Sequence, residues 1–275
     1  MKNKSWQKYA QNFGWPTIFL AVLIVMGFYV SSLWMAYYPE AWMWLGLWHT
    51  FLLYLGFSVA HEAAHGNIHG KHKHLKWVNS FFGWTFSLMF FVPYPIFRRI
   101  HMRHHGMTNN PEHDPDYWVA ADKWWKVIFR CSTIFFHYFS NFGGAILGEP
   151  PKAFCSWKAN IIAVIFFLSL VAVPYALGFG EAFVVLFFIP SFFASSLLAF
   201  VLDWLPHHPH GTEERFFDTR ILLFPGLRFL FLNHNYHLIH HLYPKIPFYN
   251  YKACFEEMED DLREKGVTIT EPSKV

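Results

Sequence analysis

The chain has 275 residues, 54% of them apolar, 21% aromatic and only 15% charged, with a formal net charge of +3. A water-soluble domain usually carries about 25% charged residues, so this composition excludes a fully solvated surface and points to lipid over much of the chain. The small positive charge sits in short clusters beside apolar runs, which argues against a nucleic-acid partner.

The N-terminal stretch MKNKSWQKYAQNFGWP shows no small-residue cleavage site after a short apolar core, so the first apolar segment is expected to be retained. A helix that crosses a bilayer needs about 20 mostly apolar residues. Segments 16–38, 42–60, 160–178 and 182–204 meet that requirement. They pair as two hairpins, with turns at YPEA (38–41) and GFGE (178–181).

Between the hairpins lie two weaker apolar stretches, 80–97 with Gly83, Pro93 and Pro95, and 127–148 with Arg130, His137 and Asn141. Charge decides between crossing and lying flat. All 22 Lys and Arg residues fall in 1–8, 71–158 or 215–274, whereas the hairpin turns carry Glu40 and Glu181. The positive-inside rule therefore places the N-terminus, 61–158 and everything after 204 on the cytoplasmic side, in a bacterium at the inner membrane. The two weaker stretches then lie at the cytoplasmic interface as amphipathic or re-entrant pieces. The alternative is six spans, but a crossing by 80–97 alone would separate histidine clusters that look as though they belong together. Residues 250–266 read as a polar amphipathic helix ending near Gly266. The expected architecture is a single all-α integral membrane domain over 1–275, four spans in two hairpins with interfacial helices and a histidine-rich cytoplasmic cap.

Cys131, Cys155 and Cys254 are far apart, form no CxxC and read as reduced thiols. The 18 histidines stand out, because an imidazole in an apolar chain is costly unless it is paired or bound to metal. They concentrate in three clusters: His61 and His65 in HEAAH; His101, His104 and His105 in HMRHH; His237, His240 and His241 in HLIHH. On a helix, residues three or four apart share a face, so each cluster turns two imidazoles to one side, and each HxxHH turns a third by about 100°, able to reach a second ion. HEAAH by itself is also the pattern of a zinc protease, with Glu62 as general base. A protease leaves the other two clusters unexplained, and a metal transporter would string its histidines through the bilayer rather than gather them on one face. Nitrogen donors suit zinc, copper, iron and nickel. Two adjacent ions with open positions point to oxygen chemistry, and two irons are the favoured reading.

At these residues the chain resembles the membrane fatty acid desaturase/hydroxylase superfamily, in which three histidine boxes bind a di-iron centre. The resemblance covers about residues 55–250. It is closest to the cyanobacterial-type β-carotene hydroxylases, through HEAAHGNIH, HMRHHGMTNNPEHDPD, WLPHHPH and NYHLIHHLYPKIPFYNY. That group commonly has Asp where Glu62 stands and Arg where His208 stands. The resemblance implies that His61, His65, His101, His104, His105, His237, His240 and His241 are iron ligands, with His207 as a ninth. His69, continuing the i, i+4, i+8 row from His61, is a ligand or a supporting group; His210 and His234 are weaker candidates.

A ligating imidazole normally donates its other N–H to a carboxylate or carbonyl, and Glu62, Asp114, Asp116 and Asp203 are candidates for that role. PEHDPD reads equally as a turn with capping aspartates. Asn233 is a candidate near the third box, as is Asn235. His49 lies about 18 Å along the helix from His61 and reads as a buried, hydrogen-bonded residue, like His137. His72 and His74 read as a basic loop facing headgroups. The resemblance implies two irons, O₂ and electrons from an external donor such as ferredoxin; the catalytic group is the di-iron centre itself, and no separate acid or base is assigned. The favoured activity is 3-hydroxylation of the β-ionone ring of β-carotene. Ring ketolation and fatty-acyl desaturation or hydroxylation are the alternatives.

Overall fold

The computed structural model describes residues 4–10 and 12–272, so Lys2 and Lys274, part of the charge pattern above, lie outside the described residues. Helix α1 (Trp15–Tyr37) opens with Pro16, whose missing N–H costs nothing in a first turn. Helix α2 (Trp42–His65) returns beside it. Gly14 N–H donates to Ile68 O and Ser31 meets His49, so the two helices run antiparallel. The second span runs past the expected end at 60, to His65. It stops where Gly66 takes the left-handed conformation (φ 73°) that favours glycine.

The stretch 80–97 is not one piece. Helix α3 (Lys76–Leu88) ends, the chain turns through Phe91 at φ 58°, and α4 (Tyr94–Met107) begins after Pro93. At 1.5 Å per residue, helices of 13 and 14 residues reach only about 20 Å, too short for a hydrocarbon core of about 30 Å. The other weak stretch is α5 (Trp124–Ile146), buried along Val127, Ile134, Phe135 and Phe139 and exposed at Trp124, Trp125, Ile128 and Phe129. Helix α6 (Trp157–Ala176) packs on it.

Gly143 makes that packing close, because a Cβ built there would lie 2.4 Å from Ala159 O. Gly143→Leu is expected to destabilise the protein by about 1–3 kcal/mol through overpacking. The fall in thermal unfolding midpoint in detergent measures it.

Among the described residues, four helices are long and apolar enough to cross a membrane: Trp15–Trp34, Trp42–His65, Trp157–Ala176 and Gly180–Trp204. Only 17% of the apolar window in α6 is buried, so lipid must cover the rest. The fourth span contains two wider π-type segments, Val184–Phe188 and Ala199–Trp204. The start of α1 and the end of α2 meet at Gly14 and Ile68, the approach to α6 is tied to the second-box loop by Ala153 N–H to Glu112 O, and the fourth span ends just before His207. The open ends of both hairpins therefore face one cap.

The cap holds a short helix, His237–Leu242, and the amphipathic helix Tyr251–Lys265, ended by Gly266 (φ 79°) as the sequence suggests. Its core packs Leu238, Ile239, Ile246, Tyr251 and Leu262. Two-residue strands Ile221–Leu222 and Ile269–Thr270 pair in parallel. The molecule is thus an all-α membrane protein with almost no strand.

Candidate metal centre

The end of α2 supplies the first two imidazoles, and its last carbonyls are held from outside. Asn79 Nδ2 (2.8 Å) and Tyr94 OH (2.7 Å) donate to Ala63 O, Arg98 Nε donates to Ala64 O (3.0 Å), and Lys245 Nζ donates to His65 O. Two of these donors are cations at a helix C-terminus, where the helix dipole favours them. Helix α4 brings His101, His104 and His105; the turn after the fourth span brings His207; the short cap helix brings His237, His240 and His241.

These nine histidines form two groups. His61, His65, His101, His105 and His240 make one; His104, His207, His237 and His241 make the other. In each, the nitrogens lie within 4.8 Å of one another. The closest approaches join Nε2 atoms: His65 to His101 at 2.7 Å, His61 to His240 and His207 to His237 at 3.0 Å, His101 to His105 at 3.2 Å and His104 to His241 at 3.3 Å. Two imidazole nitrogens each about 2.1 Å from one ion and at right angles about it lie ~3 Å apart. An all-imidazole set with no thiolate fits iron, zinc, copper or nickel.

The opposite ring nitrogens explain the aim of several rings. His104 Nδ1 lies 2.9 Å from Asp114 Oδ1 and 3.4 Å from Asp116 Oδ2. His61 Nδ1 lies 3.3 Å from Glu62 Oε1, His240 Nδ1 2.8 Å from Tyr251 OH, and His241 Nδ1 3.3 Å from Thr108 Oγ1. Fixing Nδ1 in this way turns Nε2 toward the centre. Burial, then neighbouring imidazoles, lowers His101, His105, His207, His237, His240 and His241 well below the ordinary imidazole pKa, leaving neutral rings with a lone pair to give. Burial pushes His104 the same way, but Asp114 and Asp116 outweigh it and raise it to about 10. Those carboxylates favour a positive charge at this position.

The remaining candidates divide. Glu62 is fully buried and spans His61 Nδ1 and Asn67 Nδ2 (3.1 Å), so it holds a ring in place and does not line the cavity beside the histidines. Asp114 accepts from Asp116 N–H and Asn109 N–H as well as facing His104, so it both caps the turn and orients a ring. Among the described residues the Asp203 carboxylate makes no hydrogen bond to a histidine; Tyr138 OH meets it at 3.3 Å.

His69 departs from the expected row: the helix ends at His65, and the reversal at Gly66 carries His69 out of both groups. His234 is buried beside His61 but its Nε2 meets Ser58 Oγ at 3.0 Å, outside both groups. His210 is buried against Tyr117, also outside both. Asn233 adopts φ 63° at the start of the turn before the third box, and Asn235 ties that turn to Leu222 O. Both are turn-builders. His208 packs against Trp204 with the two rings tilted by 37°. His49 and His137 are buried and hydrogen-bonded, as read from the sequence. Tyr251 and Thr108 were not singled out by sequence reasoning. Both lie within or next to motif stretches, but nothing in their spacing marks them as ring partners.

The histidine groups open on a cavity walled by Phe57, Val92, Phe97, Ile100 and Leu202. It continues away from them between Phe90, Phe135, Ser195, Leu198 and Ala199, among the membrane helices. A family model described as fatty acid desaturase matches residues 40–273, which takes in all nine clustered histidines. No curated protein matches the chain.

Proposed function

The chain belongs to the fatty acid desaturase family, and from that premise we propose that it is a membrane non-haem di-iron oxygenase that hydroxylates the β-ionone ring of β-carotene. The observation that carries the oxygenase reading is the pair of all-imidazole groups at the mouth of an apolar cavity running between membrane helices. His61, His65, His101, His105 and His240 would hold one iron, and His104, His207, His237 and His241 the other. Two such irons, with electrons from an external carrier of the ferredoxin type, supply the power to activate O₂ and oxidise an unactivated C–H bond.

The rest is done by the chain's own side chains. Glu62, Asp114, Tyr251 and Thr108 hold imidazole rings in register. The aromatic and aliphatic wall excludes water and binds hydrocarbon by area. Where the substrate carbon stops along that wall decides between hydroxylation and desaturation. The sequence resemblance to carotenoid ring hydroxylases supports the β-ring as the target, with the histidine face cytoplasmic by the charge pattern. The second reading, oxidation of a fatty-acyl chain, is favoured by the description of the matching family.

Expression in a β-carotene-producing bacterium distinguishes the two. Zeaxanthin is expected; unchanged carotenoids with altered fatty acids would reverse the order. A zinc-protease role is disfavoured by Glu62, which is turned to His61 Nδ1 and Asn67 and does not line the cavity. One zinc and no iron in the purified protein would overturn the oxygenase reading.

A further inference from the structure

Two lengths of cavity meet where Phe57, Val92, Phe97, Tyr138 and Asp203 line both of them. Three of these side chains are apolar, and the other two bring the polar groups shared by the two lengths. Tyr138 OH lies 3.1 Å from Asp116 Oδ1 and 3.3 Å from Asp203 Oδ2. A phenol has one proton to donate, so it serves one carboxyl group at a time and leaves acceptor capacity on the other. Asp116 also faces His104, whereas among the described residues Asp203 has no side-chain partner but Tyr138. Asp203 stands in the π-type segment Ala199–Trp204, a wide turn of the kind found at functional sites. A carboxyl group short of donors is costly in an apolar cavity, and the ligand chemistry that relieves it is an O–H donor.

We propose that Tyr138 and Asp203 hold the alcohol group of a substrate that is hydrophobic elsewhere and already hydroxylated. The inference rests on the reading that this cavity takes the substrate.

Equilibrium retention by the purified protein in detergent tests it with two matched pairs: β-carotene against its monohydroxylated derivative β-cryptoxanthin, and octadecane against octadecan-9-ol. The alcohol is expected to bind at least about tenfold more tightly in one pair or both. Tyr138→Phe and Asp203→Leu are expected to bring that ratio close to one. Because a ratio is read, a partly misfolded fraction cancels. Equal retention within each pair by the wild type, or a ratio unchanged in both variants, overturns the hold. An alcohol preference confined to octadecane, with no carotenoid retained, supports the hold and overturns the β-carotene reading. Oxidation of carotenoid without an alcohol preference does the reverse.

Discussion

Replacing His240 by alanine is expected to abolish turnover and to lower bound iron from about two per chain to one or fewer. His240 sits in the five-histidine group with its Nε2 3.0 Å from that of His61, and its Nδ1 is held by Tyr251 OH. Removing it takes away one of the five donors of that group and leaves its supporting phenol with no ring to orient. His104→Ala tests the other group and is expected to be harsher. It also leaves Asp114 and Asp116 buried without the imidazole that faces both, and a buried charge that loses its partner costs about 3–5 kcal/mol. The two variants therefore separate the effects. Both should lose activity and iron, but only His104→Ala should also show a large fall in unfolding midpoint. Full iron and full activity in both would refute the assignment of these histidines as ligands.

The spacing of the boxes already told which imidazoles share a helix face, and the gathering into a five and a four could not be read from it. That partition depends on how the α2 end, α4 and the cap helix cross, which is fixed by side chains far apart in sequence. Arg98 and Lys245, for example, hold the last carbonyls of α2. His69 shows the limit of that spacing. Its i+8 spacing from His61 was visible, but the row holds only while the helix lasts, and Gly66 ends it. Glycine is a helix-stop residue, and Gly66 in the left-handed conformation interrupts the histidine row after His65.

The spans were legible because about 20 apolar residues have few other uses in a chain of this composition. Their ends moved by several residues, since α2 carries Glu62 and two histidines in its last turn, where hydropathy falls but the helix continues. The break within 80–97 was marked by Pro93, yet apolar content alone made both flanks look like one stretch. Asp203 reads from the sequence as a candidate partner for a ligating imidazole, and in the structure its carboxylate meets Tyr138 OH at 3.3 Å. Its meeting with Tyr138 depends on the packing of α5 against the fourth span, a contact between segments 65 residues apart.

Asp114→Asn should weaken iron binding, or activity at limiting iron, by about 10- to 100-fold. The distances select Asp114 over Asp116. A ring N–H donates to one acceptor well, and Asp114 Oδ1 lies at 2.9 Å from His104 Nδ1 where Asp116 Oδ2 lies at 3.4 Å. The amide keeps the shape but removes the charge that raises ligand basicity. Its NH₂ would also meet the N–H of Asn109, which now donates to Asp114 Oδ2 at 2.8 Å. Two opposed donors in a buried turn cost about 1–3 kcal/mol, so some loss of stability accompanies the loss of iron. Asp116→Asn separates the two causes, because Asp116 faces the same ring from farther away and does not accept from Asn109. It is expected to leave iron affinity within about tenfold of wild type. Equal iron loss in both variants would mean that the summed negative charge around His104, rather than the orientation of its ring by Asp114, sets the affinity of the four-histidine group.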